Sequence, residues 1–237
     1  MHIAGYEPLT LIDYPDHLAT IVFTPGCVLR CPYCHNPELV QAIPGNPQTA
    51  ELFTASQEKD FFHFLHQRTG VLDGVVITGG EPTLQPDLID FIRRVKNLGF
   101  LVKLDTNGVF PDIVKTILAT QLVDYWAMDI KHTPEKYHLA SGRNIPIEVF
   151  QRSVELIMGS GVPYEFRTTV VPTIHEYEDF LSIGEWIRGA RAYYLQPFRP
   201  GKVADTALPD RIGTQTLNLE KIRLSLLPYM NAVEIRG

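Results

Sequence analysis

Along this chain, short runs of β-branched and aromatic residues alternate with longer stretches in which apolar residues recur every three or four positions. His17–Phe23 is the first such run, stopped by Thr24-Pro25-Gly26, and the residues before it predict a short hairpin leading into a strand. Residues 37–47 carry Pro and Gly without a period and predict a loop. A helical period begins at Ser56, carries Phe61, Phe62 and Leu65, and ends at Gly70. Val71–Ile77 predicts a buried strand. Asp87–Leu98 follows as a helix with Leu88, Ile89, Ile92 and Val95 on one face, closed by Gly99. The alternation continues with a strand at Phe100–Leu104, a helix at Pro111–Leu118 opened by proline, and a strand at Val123–Ile130. Pro146–Ser160 is an amphipathic helix, Tyr164–Pro172 a strand, His175–Ile187 a helix and Ala192–Phe198 a further strand. A helix around Leu217–Leu227 and a short apolar strand near Val233 complete the pattern.

Counting strands that alternate with helices gives about six βα units, which right-handed crossovers arrange as a parallel sheet. Six units do not close an eight-stranded barrel, so the expected fold is α/β, an open (β/α)6 partial barrel. A length of 237 residues suits one such domain, 1–237, with the hairpin at 1–17 as an N-terminal extension. Loops at the carboxyl ends of parallel strands converge on one face, so the chemistry is expected in the residues that follow each strand.

Composition narrows the function classes. A net charge of −6 and a pI near 5.7 argue against a nucleic-acid binder, which carries a basic surface. No basic-then-apolar leader opens the sequence, and no apolar run approaches the roughly 20 residues of a membrane span. All three cysteines, Cys27, Cys31 and Cys34, fall within eight residues with the spacing Cys-x3-Cys-x2-Cys. Thiols crowded on one short loop suit a metal better than disulfides, and free thiols imply a reducing cytoplasm. Zinc and iron–sulfur centres both fit. A closed zinc site would need His35 as fourth ligand, directly beside Cys34, where two consecutive side chains rarely reach one ion. A cubane on three thiolates leaves one iron open.

Other strand ends add candidates. Gly79 and Gly80 let backbone approach a ligand, and Glu81 offers a carboxylate to an ammonium group, although such a sequence is more often a tight turn. Asp105-Thr106-Asn107-Gly108 reads as a turn. Asp129 and Lys131, two apart on a strand, read as a same-face ion pair. Arg167 within an apolar strand needs a charged partner.

Cys27-x3-Cys31-x2-Cys34, with Tyr33 before the last cysteine, resembles the signature of radical S-adenosylmethionine enzymes. The continuation Cys34-His35-Asn36-Pro37 resembles the activating enzymes of glycyl radical enzymes, and Leu11-Ile12-Asp13-Tyr14-Pro15 resembles the activator of anaerobic ribonucleoside-triphosphate reductase. The resemblance implies one [4Fe–4S] cluster on the three cysteines. It implies S-adenosylmethionine held by Tyr33, Gly79, Gly80, Glu81, Asn107, Asp129, Lys131, Arg167 and Gln196, and a monovalent cation at Asp105, Thr106 and Asp129. The implied reaction is reductive cleavage of the cofactor to a 5′-deoxyadenosyl radical that takes a hydrogen atom from a glycine of the partner. Hydrogen-atom transfer needs no protein acid or base, so no further catalytic residue is implied. The implied partners are a glycyl radical enzyme and reduced flavodoxin or ferredoxin as electron donor, without nucleic acid or membrane. Pyruvate formate-lyase as the target, or a small substrate as in deazapurine synthases, remains an alternative. An electron-transfer module and a structural zinc protein are further alternatives. Related activators often carry a His after the Pro-aromatic pair, where this chain has Arg199, and the absence of further cysteines limits it to one cluster.

Overall fold

A computed structural model of the protein describes residues 1–41 and 55–237; most of the loop expected at 37–47 lies outside the described residues. Among the described residues eight strands form one sheet whose order follows the sequence, with β1 and β8 at its edges. The expected α/β alternation and an unclosed sheet are therefore both present. The chain divides into two compact units, Met1–Val28 with Glu38–Trp126, and Leu29–Pro37 with Ala127–Gly237.

In the first unit β1 (Gly5–Thr10) and β2 (Ala19–Thr24) form the predicted hairpin, antiparallel, while β2, β3 (Gly74–Gly79) and β4 (Leu101–Thr106) run parallel. The helices are α1 (Pro37–Val40), α2 (Ala55–His66), α3 (Leu88–Asn97) and α4 (Pro111–Thr120). Leu88, Phe91, Ile92 and Val95 of α3 are buried at i, i+3, i+4, i+7 spacing, so Phe91 takes the core position expected for Ile89, which is only half-buried. Phe91 stacks on Phe61 of α2 at 5.9 Å and meets Phe62 edge-on at 5.3 Å. Two details depart from the sequence reading. β3 begins at Gly74 rather than Val71, because the amides of Asp73 and Gly74 are bound by the carbonyl of Leu18, leaving Val71 62% exposed. Pro37–Val40 forms one helical turn instead of loop, its Leu39 and Val40 carbonyls accepting from the amides of Gly26 and Cys27.

Half of the Leu11-Ile12-Asp13-Tyr14-Pro15 segment is explained by packing. Tyr14 is buried in a cluster with Ala19, Ile21 and Val76, and Gly74 leaves room for its ring: a Cβ there would stand 2.9 Å from the ring edge. Leu11 and Ile12 are instead 68% and 73% exposed, on a turn fixed by Thr10, whose hydroxyl accepts from the amides of Ile12 and Asp13 at 3.3 Å.

The strand β5 (Tyr125–Asp129) bridges the division in the chain, and the second unit continues through β6 (Tyr164–Val170), β7 (Tyr193–Pro197) and β8 (Val233–Ile235), parallel where β6, β7 and β8 pair. Its helices are α5 (Tyr137–Ser141), α6 (Ile147–Met158), α7 (Tyr177–Trp186), α8 (Leu208–Ile212) and α9 (Leu219–Leu226). α5 and α8 each span five residues, too short to show a hydrophobic period, and sequence reading passes over both. α7 approaches α9 closely at Gly184, where a Cβ would lie 2.6 Å from Leu226. Among the described residues no helix is long and apolar enough to cross a membrane.

Two buried histidines tie β5 to the start of α7. His132 and His175 stack at 4.8 Å. Each carries its proton on Nε2, donating to a carbonyl (Ile174 and Lys131, at 3.0 and 2.9 Å), while Nδ1 accepts a backbone N–H from Thr133 or Val171. A second proton on Nδ1 would face an N–H donor, so both rings are held neutral. Burial drives His175 from 6.5 down to about 4. A folded-state pKa below the unfolded one means that the unfolded chain binds the extra proton, so stability falls as pH drops from 6.5 toward 4. Chemical denaturation at pH 7.5 and pH 5 should therefore show a loss on the order of 2 kcal/mol from this ring. Most of that loss should vanish in His175→Gln; an unchanged pH slope in the variant would show that the ring is not held neutral.

Candidate active site

The parallel pairing of β2 with β3 sets the ends of two strands side by side, with Thr24 opposite Gly79. From there the cysteine loop and the Gly-Gly-Glu turn leave together. The amide of Gly80 donates to the Thr24 carbonyl at 2.8 Å and that of Glu81 to Gly26 at 2.7 Å. No side chain fits between them: a Cβ on Gly80 would lie 2.1 Å from the Gly26 carbonyl oxygen, and one on Gly79 2.3 Å from the Thr24 nitrogen. Gln85 adds a bond from Nε2 to the Pro25 carbonyl at 2.7 Å. Gly79 and Gly80 thus serve first to seat the loop that carries the cysteines.

Glu81 is fully buried. Its Oε1 accepts from the Thr83 amide at 3.1 Å, from the Thr83 hydroxyl and from the Thr106 hydroxyl at 2.7 Å, while Oε2 accepts the Asn107 amide at 2.7 Å. Burial raises its pKa above the usual carboxylate range, and these donors offset only part of the rise. A carboxylate offers about four acceptor positions, and the load on Oε1 leaves Oε2 the oxygen with capacity for a further donor. Asn107 turns its side-chain amide to Cys27, with Nδ2 3.6 Å from Sγ, and its Oδ1 accepts the Val109 amide at 3.0 Å. Cys27, Glu81, Thr106 and Asn107 therefore form one connected group in the first unit. Asp105, beside them, pairs with the buried Lys103 ammonium at 2.9 Å.

In the second unit the rest of the cysteine loop is equally anchored. Arg30 donates its amide to the Ser141 carbonyl at 2.8 Å, and Gly142, at φ 63°, lies so close that a Cβ would be 2.0 Å from the Arg30 oxygen. The carbonyls of Pro32 and Cys34 accept from Asp205 and Ala204 at 2.9 and 3.0 Å, and His35 stacks on Phe198 with Nε2 bonded to the Arg199 carbonyl at 3.0 Å. His35 is thereby turned to Arg199. Tyr33 is buried beneath the Lys131 ammonium, 5.9 Å from the ring centre, and its hydroxyl has no hydrogen-bond partner among the described residues. Asp129 receives Lys131 Nζ at 2.8 Å and the Arg167 guanidinium at 3.0 and 3.1 Å. Burial alone would raise the Asp129 carboxyl, but the two cations outweigh it and hold it well below the usual carboxylate range; Asp129 in turn holds Lys131 charged against its own burial. Gln196 lies on β7 opposite Thr169, half-buried.

None of the three cysteines is in a disulfide, and among the described residues no three His, Cys, Asp or Glu side chains are already gathered for a metal ion. The thiols still suit an iron–sulfur cluster by their donor set: three sulfurs, one already receiving an amide hydrogen bond from Asn107, with His35 engaged elsewhere. Burial pushes the Cys31 thiol up to about 11 against the opposing pull of Lys131, and metal ligation would deprotonate it. The residues named for a monovalent cation are each engaged by protein partners: Asp105 by Lys103, Thr106 by Glu81, Asp129 by Lys131 and Arg167.

The sequence profile of the radical SAM superfamily matches residues 21–187. The chain belongs to that superfamily. It is an enzyme, and its family implies the [4Fe–4S] cluster and S-adenosylmethionine that the three-thiol donor set fits. The chain is 32% identical over 240 residues to a putative glycyl-radical enzyme activating enzyme of Methanocaldococcus jannaschii, covering 99% of this chain and 95% of that one. It is 34% identical over 183 residues to the pyruvate formate-lyase-activating enzyme of Clostridium pasteurianum, covering 75% and 71%. Among solved structures, a domain of a pyruvate-formate lyase-activating enzyme from Bacteroides vulgatus superposes with a TM-score of 0.55 at 18% identity, over 70% of this chain and 99% of that one. SuiB from Streptococcus suis, bound to S-adenosylmethionine, gives 0.63 at 15% identity over 92% and 52%. At these identities the two structures establish the radical SAM fold alone. Sequence reading missed Lys103, Thr83, Gln85 and Gly142, which support the site without belonging to a motif.

Gly80→Ala tests the seating of the loop. Its Cβ meets backbone that cannot rotate aside, so the variant should lose several kcal/mol of stability, in the range of the severest single substitutions. It should also fail to retain iron and sulfide on anaerobic reconstitution; normal cluster content and an unchanged melting temperature would refute the close approach.

Proposed function

We propose that the protein is an activating enzyme that installs a radical on a glycine of anaerobic ribonucleoside-triphosphate reductase. The observation that carries the activating-enzyme reading is the loop Cys27–Pro37 together with a relative named as a putative glycyl-radical enzyme activating enzyme over 99% of the chain. A [4Fe–4S] cluster held by Cys27, Cys31 and Cys34 would supply one-electron reduction of S-adenosylmethionine, drawing on reduced flavodoxin or ferredoxin, and the radical chemistry this opens would remove a hydrogen atom from the partner's glycine. The chain's own residues bind and orient. Glu81 Oε2, with capacity for another donor, receives the methionine ammonium. Arg167 and Lys131, both held by Asp129, present positive charge to the methionine carboxylate, while Asp129 also reaches the ribose. Tyr33 borders the adenine, and Gly79, Gly80, Asn107 and Gln196 are further residues assigned to the cofactor. A monovalent cation at Asp105, Thr106 and Asp129 would have to displace the partners these groups now hold.

A second target, pyruvate formate-lyase, is favoured by the relatives that bear its activator's name. The ribonucleotide reductase reading rests on Leu11-Ile12-Asp13-Tyr14-Pro15, of which Leu11 and Ile12 are the exposed part.

Removing any of Cys27, Cys31 or Cys34 as Ala should abolish reductive cleavage of S-adenosylmethionine while far-ultraviolet circular dichroism stays native. Glu81→Ala should weaken S-adenosylmethionine binding about ten- to a hundredfold, the cost of roughly 1.5–3 kcal/mol for a charge-assisted hydrogen bond. The decisive experiment mixes the reconstituted, reduced enzyme with each candidate partner carrying deuterium at its target glycine. A glycyl radical in the electron paramagnetic resonance spectrum, with deuterium in 5′-deoxyadenosine, identifies the substrate. If both candidates stay radical-free and the label enters from a small metabolite, the activating-enzyme reading fails.

A further inference from the structure

β6 carries two opposite charges on one face. Glu165 and Arg167 are two residues apart on the strand, so their side chains leave the same side of the sheet. Glu165 is fully buried and Arg167 nearly so, its side chain 12% exposed. The Arg167 guanidinium stands between two carboxylates: Asp129 at 3.0 Å, and Glu165 at 3.9 Å. The second carboxylate is occupied from the opposite direction. Arg236, just past β8, places NH1 and NH2 on the two oxygens of Glu165 at 2.9 and 3.0 Å, the bidentate fork geometry. Its own position is fixed twice, by its amide on the Leu195 carbonyl at 3.0 Å and by its guanidinium over the Tyr194 ring at 3.5 Å. Tyr194 sits opposite Arg167 across the β6–β7 pairing.

We propose that Arg236 is a positioning residue for the cofactor's methionine carboxylate: by engaging both oxygens of Glu165, it leaves Arg167 directed to Asp129 and to the ligand. This rests on the reading of Arg167 as a carboxylate contact. Loss of Arg236 removes the bidentate partner of Glu165, whose Oε1 already lies 3.9 Å from the Arg167 guanidinium. A single guanidinium cannot present its fork to Asp129, Glu165 and a ligand carboxylate at once. The competitor is the charge of Glu165, so neutralising it removes the need for Arg236. Lysine at 236 keeps the charge without the fork and serves only in part.

The test compares two ligands on the anaerobically reconstituted holoenzyme by isothermal titration: S-adenosylhomocysteine, which carries the methionine-type carboxylate, and 5′-methylthioadenosine, which lacks it. Arg236→Gln should bind S-adenosylhomocysteine about tenfold more weakly and 5′-methylthioadenosine within twofold of the native protein. Arg236→Lys should fall between. Glu165→Gln alone should bind both ligands normally, and the double variant Arg236→Gln/Glu165→Gln should regain S-adenosylhomocysteine affinity to within about threefold. Equal weakening of both ligands, or no recovery in the double variant, would overturn the proposal and leave Arg236 a structural residue. If Arg236→Gln does not fold, the double variant and Glu165→Gln decide, since the proposal requires both to bind S-adenosylhomocysteine normally. An Arg167→Gln variant in which the ratio of the two affinities is unchanged from the native protein would instead refute Arg167 as the carboxylate contact.

Discussion

Backbone meets backbone where β2 and β3 end, and the site depends on that approach. The two amides of Gly80 and Glu81 bind the carbonyls of Thr24 and Gly26 with no side chain between. Hydrogen bonds of this kind fix a loop without relying on side-chain rotamers, which is what a ligand loop needs if its thiols are to hold fixed directions. The same turn passes directly into Glu81, whose four donors join the end of β3 to the end of β4 through Thr106 and Asn107. Seating the loop and holding Glu81 are therefore parts of one hydrogen-bonded unit, completed by the side-chain amide of Asn107 on the Cys27 sulfur.

The second unit solves a different problem. It brings Lys131, Asp129, Arg167, Glu165 and Arg236 along neighbouring strands so that positive and negative groups alternate. Buried charges are costly singly and tolerable when each is bonded to an opposite one. Alternation also leaves three cations against two carboxylates within this row, a surplus suited to an anionic group of a ligand.

The elements were legible in the sequence because most are long enough to show a period: α3 buries Leu88, Ile92 and Val95 as its spacing marks, with Phe91 in the place expected for Ile89, and the hairpin and six following strands occur where β-branched runs stand. Strand starts were less legible, as at Val71, since an apolar residue in a turn looks like one in a strand. The five-residue helices α5 and α8 and the single turn Pro37–Val40 left no period at all. For the site, the cysteines and the Gly-Gly-Glu turn were legible because their spacing is unusual. The partners Lys103, Gly142 and Arg236 were not, because a lone Lys, Gly or Arg carries no local signal; only the fold brings Gly142 against Arg30 and Arg236 against Glu165.

Burial differs among the three thiols: Cys27 and Cys31 are inside, Cys34 partly outside. Sulfur reacts with oxidants and alkylating agents according to how far it can be reached as thiolate. In a preparation handled in air, damage therefore starts at Cys34 and proceeds inward. A sample can keep its fold, its spectrum of secondary structure and two intact sulfurs, and yet have lost one corner of the ligand set for good once that sulfur passes the sulfenic stage.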